Sequence, residues 1–452
     1  MSAGHRVDRA RAPLLTDLYE LSMLQSYFDE GLEDRAVFSL FVRRLPAHRN
    51  FLLACGLEDV LRELESFAFG EAALEGLARL RPFPRRFLDR LASLRFGGDV
   101  WAVPEGTPLF AGEPILEIAA SLPEAQVLET LVMNTIHLQT LVASKAARVV
   151  HAAAGRTVVD FGLRRMHGAD AGLRGAWAMY VAGVGATSNV LAGIEYGIPV
   201  AGTMAHSYVQ AHGSELAAFR AFARAHPGTT LLVDTYDTLE GVENVVSLAR
   251  ELGPRFDVRA IRLDSGDLAA LSKAARARLD AAGLSSVGIF ASGGLDEWEI
   301  ERLVAGGAPI DGFGVGTAMG VSADAPSLDL AYKLVSYAGE GRLKLSTGKE
   351  LLPCQKQLFR QEEGGVAVRD ALALAGEELP GRPLLLEVMR GGRRTAPPEP
   401  LELARARARE ELARLPPALR RLSRAEPGHP VLPSARLLAE RDAVVRRLSR
   451  SG

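Results

Sequence analysis

Cysteine is almost absent from the sequence: its 452 residues include only Cys55 and Cys354, which lie far apart in the chain. This scarcity excludes a disulfide framework and a zinc ribbon, and it fits a reducing compartment. The first residues, MSAGHRVDRARAPLL, contain no apolar core like that of a secretory signal. We therefore expect a cytoplasmic protein.

The sequence also lacks an unbroken apolar run that could span a bilayer. Its longest apolar stretch, AQVLETLVMNTIHLQTLVASKAARVV, is interrupted by Glu129, His137 and Lys145 among others, which predicts a buried helix. Neither sign of charge dominates, because 53 basic residues stand against 55 acidic ones and the net charge is −2. No basic footprint points to nucleic acid or to an anionic membrane, so we expect neither as a partner.

The chain is long enough and apolar enough, at 48% hydrophobic residues, for two or three domains with large cores. The stretch TDLYELSMLQSYFDEG predicts a helix capped by Thr16, and RAVFSLFVRRLP alternates like a half-buried strand. The segment FGGDVWAVPEGTPLFAGEPILEIAA is rich in glycine, proline and valine, which predicts short strands and turns. We expect a mixed α+β domain over residues 1–125.

A strand–helix pattern then repeats roughly every 30 residues, the size of a βαβ unit. The predicted strands and the polar residues that follow them are RTVVDFGLRR, GIPVAGTMAHS, TTLLVDTYDT, VRAIRLDSGD, SSVGIFASGG and PIDGFGVGT. No loop between a strand and a helix reads GxGxxG, which disfavours a Rossmann fold. The pattern favours an α/β barrel over residues 126–330.

The remaining chain divides into two further segments. Residues 331–375, around LDLAYKLVSYAGEGRLKLSTGKELLPCQKQLFR, predict strands that return to the first domain. Residues 376–452 are rich in arginine, glutamate, proline and alanine and predict a helical tail. Within this tail LELARARAREELARL carries balanced charge, as a solvated surface helix does.

Polar and glycine-rich residues follow all six predicted strands. In parallel α/β folds ligands bind at the carboxyl ends of the strands, so these positions predict one shared site. In DGFGVGTAMG, Gly316 and Thr317 can offer backbone N–H groups and a hydroxyl to a phosphate. In IFASGGLDE, Ser292, Gly293 and Gly294 form the neighbouring loop.

Charged residues complete the predicted site. Arg164, in FGLRRMHG, can hold a carboxylate or a phosphate through paired hydrogen bonds. His206, in GTMAHSYV beside Thr203, can serve as a base or as a phosphoryl acceptor.

Four acids form two DxxD clusters at the ends of neighbouring predicted strands. Asp234 and Asp264 can help to position Mg²⁺, which is mostly bound through substrate phosphates and water. Asp237 and Asp267 are better placed as helix caps.

The ordered set of these stretches resembles the nicotinate phosphoribosyltransferase family. The matching stretches are LLTDLYELSML, FGLRRMHGADA, GTMAHSYV, LLVDTYDT, IRLDSGDL, IFASGGLDE, DGFGVGT and KLSTGK. The resemblance implies an irregular TIM-like α/β barrel with a second, smaller α+β domain, built from the N-terminal part and the C-terminal return. It implies a homodimer with shared active sites and an ATP-coupled ligase that uses Mg²⁺. Such an enzyme joins nicotinate to 5-phosphoribosyl 1-diphosphate and releases nicotinate mononucleotide and pyrophosphate, a step of NAD salvage.

The resemblance also assigns residues to the pyridine substrate. Tyr19 would stack on the pyridine ring, supplied across the dimer interface. Thr203 and Arg262 would lie near nicotinate, and Arg164 is a second candidate for its carboxylate.

Other residues are assigned to the phosphoribosyl substrate. Asp264 would face the ribose or Mg²⁺, and Gly294, Gly316 and Thr317 would hold the 5-phosphate. His206 matches the histidine that ATP phosphorylates. The resemblance assigns no metal ligand.

Two alternatives remain at this stage. The same fold can use nicotinamide, which would require an acceptor for its amide, or quinolinate, which would require more cations. A non-catalytic sensor of phosphorylated sugars can use the same glycine loops, although such a sensor has no need for a phosphorylated histidine.

Overall fold

The computed structural model describes residues 11–345 and 352–450, so residues 346–349 of the KLSTGK stretch lie outside the described residues. The helices are α1 (Leu18–Glu30), α2 (Leu57–Glu65), α3 (Glu71–Leu80), α4 (Arg85–Ser93), α5 (Leu122–Gln126), α6 (Glu129–Ala152), α7 (Ala169–Val181), α8 (Val190–Tyr196), α9 (His206–Gln210), α10 (Glu215–Ala225), α11 (Thr238–Leu252), α12 (Leu268–Ala281), α13 (Glu297–Ala305), α14 (Thr317–Gly320), α15 (Leu401–Arg414), α16 (Pro417–Arg420) and α17 (Ala435–Arg450). Across the described ranges, none of these helices combines the length and the apolar character needed to cross a membrane.

The strands, numbered along the chain, are β1 (Arg35–Val42), β2 (Leu52–Leu53), β3 (Asp99–Ala102), β4 (Pro108–Leu109), β5 (Pro114–Ser121), β6 (Thr157–Asp160), β7 (Ala186–Thr187), β8 (Thr229–Leu232), β9 (Val258–Leu263), β10 (Gly288–Ala291), β11 (Gly312–Val315), β12 (Leu330–Tyr337), β13 (Glu340–Gly341), β14 (Lys356–Glu363), β15 (Val366–Leu374), β16 (Arg382–Pro383), β17 (Leu386–Arg390), β18 (Arg393–Arg394) and β19 (Val431–Pro433). The chain forms two compact units. The first comprises Met1–Leu141 with Ser327–Gly452, and the second is Val142–Pro326.

A seven-stranded sheet organises the first unit, in the order β13-β12-β1-β5-β3-β17-β18. Strand β1 pairs antiparallel with both β5 and β12, so the chain returns to this unit after the second one. Alternate residues of β1 face opposite sides of the sheet. Phe38 and Leu40 belong to the large core, whereas Val37 packs on the other face with Ala119 and Val335.

A second sheet of this unit has the order β16-β14-β15-β19 and encloses a buried ion pair. The Arg360 guanidinium donates to Asp370 at 2.6 Å from Nη2, and both side chains are almost fully buried. Burial alone would raise the pKa of Asp370. Hydrogen bonds from His429 and Arg360 outweigh it and hold this pKa well below its usual range.

The first unit corrects two expectations. Asp17, not Thr16, is the N-cap residue of α1, because the helix begins at Leu18, and the Asp17 side chain makes no capping hydrogen bond. The Thr16 hydroxyl donates to the Glu20 carboxylate at 2.6 Å. The segment predicted as a helical tail also contains strands: β17 pairs with β3 and β19 pairs with β15. The predicted surface helix in this segment is present as α15.

A six-stranded sheet organises the second unit, in the order β7-β6-β11-β10-β9-β8, and all its neighbouring strands are parallel. Five of the six predicted strands are confirmed, with helices between them as expected for parallel strands. The mixed α/β class is therefore confirmed. The described pairings run from β7 to β8 without joining these two strands, and closure into a TIM-like barrel stays a prediction.

The sixth predicted strand, in GIPVAGTMAHS, is wrong. This segment makes a single parallel bridge, between Val200 and Thr187, and the sheet position belongs to β7. The Pro199 carbonyl accepts from Thr187 N, but proline has no N–H to continue the ladder on that side of the bridge. On the other side Asn189 N donates to Thr187 Oγ1 at 3.1 Å and does not reach the segment.

The predicted buried helix is present as α6, and its C-terminal half carries buried charges within the second unit. Lys145 Nζ contacts the carboxylates of Glu297 and Asp324, and Arg148 donates to Glu297 at 3.0 Å. Lys145 and Arg148 therefore each have an acidic partner, the condition under which charges persist inside a protein.

Candidate active site

Arg262, the penultimate residue of β9, stands at the centre of the predicted site. Its side chain is only 14% exposed. The guanidinium donates from Nη1 to Thr203 Oγ1 at 2.6 Å and from Nε to Ser292 Oγ at 2.9 Å. Nη2 donates to Asp264 Oδ1 at 3.0 Å. Four of the predicted site residues are thus in direct contact.

The short parallel strands account for this convergence. In the register of β9 and β10, Phe290 lies beside Arg262 and Ala291 beside Leu263, so Ser292 follows just past the sheet edge. The guanidinium carbon also lies 5.7 Å from the centre of the Phe161 ring, which follows β6. A cation held above a ring and among three oxygen partners has one well-defined position.

Asp264 is held on both its side chain and its backbone. Its carboxylate accepts from Arg262 and from the Ser292 hydroxyl. Burial alone would raise the pKa of Asp264, but these bonds and the Arg262 charge outweigh it and lower the pKa. The Asp234 carboxylate accepts from Asp264 N at 2.9 Å and from Ser265 Oγ at 2.6 Å. Asp264 is therefore an ionised and fixed carboxylate at neutral pH.

His206 opens the short helix α9 beside this carboxylate. Its Nε2 lies 3.8 Å from Asp264 Oδ2, and its Nδ1 lies 3.2 Å from Thr235 Oγ1. The imidazole side chain is 40% exposed, so a reactant in solution can reach it. The structure therefore brings His206, Asp264 and Arg262 together as predicted, although His206 follows a loop and not the predicted strand.

The two glycine loops follow β10 and β11, which are neighbours in the sheet. Gly293 has φ +89°, and a Cβ there would lie 1.8 Å from the Asp264 carbonyl oxygen. Only glycine fits this close approach. A Cβ on Gly316 would lie 3.2 Å from the Phe161 carbonyl oxygen, and Thr317 begins α14 directly after it. Gly294 also has positive φ, at +66°.

Two predicted residues stand apart from this network. Arg164 lies in a 3₁₀ turn after β6 and is exposed, and no ion pair to it is found among the described residues. Tyr19 belongs to the other compact unit, in the first turn of α1, and is 48% exposed. Burial and the neighbouring Glu129 and Glu20 carboxylates raise the pKa of Tyr19, so its phenol stays protonated.

Two of the four acids in the DxxD clusters have the role predicted for them. Asp237 and Asp267 cap α11 and α12 through backbone N–H groups, which confirms their structural role. Sequence reasoning missed that Asp234 supports Asp264 and that Thr235 contacts His206, although both follow β8 where site residues are expected. Within residues 11–345 and 352–450, no three His, Cys, Asp or Glu side chains are grouped to hold a metal ion.

Comparisons with known proteins identify the family of this chain. Residues 14–137 match the family model for the nicotinate phosphoribosyltransferase (NAPRTase) N-terminal domain, and residues 157–358 match the NAPRTase family model. Nicotinate phosphoribosyltransferase pncB2 of Mycobacterium tuberculosis is 56% identical over 428 residues, covering 94% of this chain and 92% of the relative. The Bacillus subtilis nicotinate phosphoribosyltransferase is 42% identical over 355 residues, covering 77% and 72%. The crystal structure of human nicotinic acid phosphoribosyltransferase has a TM-score of 0.83 at 31% identity, covering 95% of this chain and 99% of that one. The chain belongs to the nicotinate phosphoribosyltransferase family.

Proposed function

We propose that this chain transfers a phosphoribosyl group from 5-phosphoribosyl 1-diphosphate to nicotinate, forming nicotinate mononucleotide and pyrophosphate for NAD salvage. The observation that carries the proposal is the network of Arg262 with Thr203, Asp264 and Ser292 beside two glycine loops. A cation beside backbone N–H groups supports this proposal, because an aromatic carboxylate and a phosphate would each find a matching partner there.

We infer how Arg262 would bind nicotinate from the partners of its guanidinium N–H groups. A guanidinium carries five N–H groups, and four of these are directed to Ser292, Thr203, the Met204 carbonyl and Asp264. In this arrangement one N–H remains for the substrate carboxylate. The exposed Arg164 would supply a second cation, and Tyr19 of a partner subunit would stack on the ring.

The chemistry proposed at the ribose needs no protein nucleophile. The pyridine nitrogen forms a bond to the anomeric carbon while the bond from that carbon to the diphosphate oxygen breaks, through an oxocarbenium-like state. The ionised Asp264 carboxylate would face the positive charge that develops on the sugar. The loops at Gly293, Gly294 and Gly316, with the Thr317 hydroxyl, would hold the 5-phosphate.

We also propose that ATP is consumed through His206. The γ-phosphorus–oxygen bond of ATP breaks, ADP leaves, a nitrogen–phosphorus bond forms, and the imidazole proton passes to solvent. Hydrolysis of the phosphohistidine later releases phosphate. The exposure of His206 and its distance of 3.8 Å from Asp264 support this role. A phosphoryl group there would place negative charge beside Asp264 and change which conformation the surrounding loops prefer.

The residues present fit Mg²⁺ held mainly by the substrate. Mg²⁺ in phosphate-processing sites is bound by one or two carboxylates and by substrate phosphates, rather than by a protein cage. Asp264 Oδ2 faces His206 and does not take part in the bonds to Arg262 and Ser292. Asp264 would thus hold the ion, which when bound neutralises the leaving diphosphate.

We propose that the chain forms a homodimer with shared sites, and that an exposed apolar surface of the second unit forms the dimer interface. Four apolar side chains are well exposed on and just after α8: Val190, Leu191, Ile194 and Val200. Contiguous exposed apolar side chains mark interaction sites. Ile194→Glu should convert the dimer to monomer in light scattering after gel filtration, and an unchanged mass would argue against this face. The predicted domain boundaries at residues 125, 330 and 375 remain proposals. The irregular TIM-like barrel is also a proposal, and the six parallel strands support it.

The proposed function is tested by incubating the purified chain with 5-phosphoribosyl 1-diphosphate, Mg²⁺ and each of three pyridines, with and without ATP. We expect nicotinate mononucleotide and pyrophosphate from nicotinate, with ADP formed when ATP is present. Faster turnover of nicotinamide or quinolinate would reassign the substrate. Binding of the sugar diphosphate without pyrophosphate release with any pyridine would favour the sensor.

A further inference from the structure

Asp160, the last residue of β6, is buried at the same end of the sheet as Arg262, with 1% of its surface exposed. One carboxylate oxygen, Oδ1, accepts from Gly162 N at 2.7 Å, and the other, Oδ2, accepts from Thr187 Oγ1 at 2.7 Å. Thr187 ends the neighbouring strand β7 and is equally buried. The predicted site residues do not include either side chain.

Thr187 connects Asp160 to the segment that carries Thr203. Thr187 N donates to the Pro199 carbonyl at 2.9 Å, and Ala201 N donates to the Thr187 carbonyl at 3.0 Å. Two residues later the chain reaches Thr203, whose hydroxyl accepts from Arg262. The position of Thr187 therefore fixes the backbone from which Thr203 meets the guanidinium.

Asp160 also fixes the opposite side of the site. Its bond to Gly162 N holds the loop after β6, in which Phe161 N donates to the Val315 carbonyl at 2.9 Å. A Cβ on Gly162 would lie 3.2 Å from the Gly316 carbonyl oxygen, so this loop lies directly against the proposed phosphate loop. One buried carboxylate thus joins the nicotinate end and the phosphate end.

We propose that Asp160 and Thr187 are positioning residues that hold the Thr203–Arg262 pair at a fixed place relative to the Gly316 loop, and so set the affinity for the pyridine carboxylate. The inference rests on the proposed function. Neither side chain needs to touch a substrate. Small displacements of positioned groups are costly because the reacting atoms must meet within a narrow range of distance and angle.

The test is the steady-state kinetics of Thr187→Val, which keeps the shape but removes both hydrogen bonds of the hydroxyl, to Asp160 and from Asn189 N. We expect the KM for nicotinate to rise on the order of tenfold while kcat changes less. Thr187→Ser restores the hydroxyl and should restore KM. Thr140→Val is the matched control: this buried threonine bonds the Cys55 backbone in the other unit, and its loss should leave KM unchanged.

The possible results distinguish a failure of the proposed function from a failure of the positioning role of Asp160 and Thr187. A wild-type protein that forms no nicotinate mononucleotide would overturn the proposed function, and this inference with it. An active wild type with an unchanged nicotinate KM in Thr187→Val would overturn this inference alone. Thr187→Ala tests the same link if Thr187→Val does not fold, because the smaller side chain also lacks the hydroxyl that bonds Asp160. An unchanged KM in that variant would equally overturn the inference.

Discussion

Replacing Arg262 with lysine tests whether the fork of the guanidinium, rather than its charge, organises the site. The two terminal nitrogens point to different partners, Nη1 to Thr203 and Nη2 to Asp264, while Nε reaches Ser292. A lysine ammonium is a single point of charge on a flexible stem, so it cannot contact all three oxygens. We expect it to keep the attraction to Asp264 and to lose the bond to Thr203.

The size of the effect follows from the substrate contact that lysine would also lose, because an ammonium no longer held by Thr203 would not present the N–H proposed to bind the nicotinate carboxylate. A hydrogen bond to a charged group contributes about 1.5–3 kcal/mol. If this energy is lost in the transition state, kcat/KM for nicotinate falls by roughly 10- to 150-fold. Most of the fall should appear in the nicotinate KM, because Thr203 and Arg262 are proposed to bind the pyridine acid.

The assay is steady-state formation of nicotinate mononucleotide, followed by chromatography, with thermal unfolding of each variant to confirm folding. Arg220→Lys is the matched control, because Arg220 makes a two-point ion pair with Glu251 on the surface of the same unit. It should leave kcat/KM unchanged. A well-folded Arg262→Lys with wild-type kcat/KM would refute the idea that the fork matters.

Three further substitutions test separate features. His206→Asn should abolish transfer of radiolabel from the γ-phosphate of ATP to the protein while leaving some ATP-independent synthesis; label retained by the variant would contradict the phosphohistidine. Burial raises the pKa of Glu20 from its ordinary value of 4.5 to about 7, against hydrogen bonds from Thr130 and Thr16 that lower it. The folded state therefore binds a proton that the unfolded state releases in this window, so the free energy of unfolding should fall as pH rises from 4.5 to 7. In urea unfolding, Glu20→Gln should reduce this dependence of the unfolding free energy on pH. An unchanged dependence would show that a group other than Glu20 causes it. Asp370→Asn leaves the buried Arg360 charge without its main partner and should lower the free energy of unfolding by about 3 kcal/mol; an unchanged urea midpoint would show that the pair is dispensable.

The parallel sheet was predictable because its strands are short, apolar and separated by amphipathic helices. The exception, around Pro199, shows the limit of reading apolar character alone, since a strand also needs N–H donors along its length. Thr16 and Asp17 illustrate a different limit. Both residue types are preferred at an N-cap. Their side chains are used elsewhere: the Thr16 hydroxyl donates to Glu20 one turn along the helix, and the Asp17 carboxylate accepts from Thr130, which is distant in sequence.

The location of the candidate site was predictable from the sequence, but the contacts among its residues were not. Strand ends in a parallel sheet must share one edge, and this located Arg262 and Asp264 at the end of β9. His206 lies beside them although the strand predicted before it is not formed. Which of them touch depends on the register of β9 against β10, which no local pattern encodes. Asp160 and Thr187 escaped notice for the same reason, because their importance lies in contacts between strands that are distant in sequence.

The hydrogen bonds around Arg262 have a consequence for the thermodynamics of binding. An arginine on a free surface gives up rotamer freedom when a ligand arrives, at a cost of up to about 2 kcal/mol. Here Thr203, Ser292 and Asp264 already restrain the side chain, so this entropy is lost when the chain folds. Nicotinate would meet an immobile cation, and its binding enthalpy would not be offset by ordering Arg262.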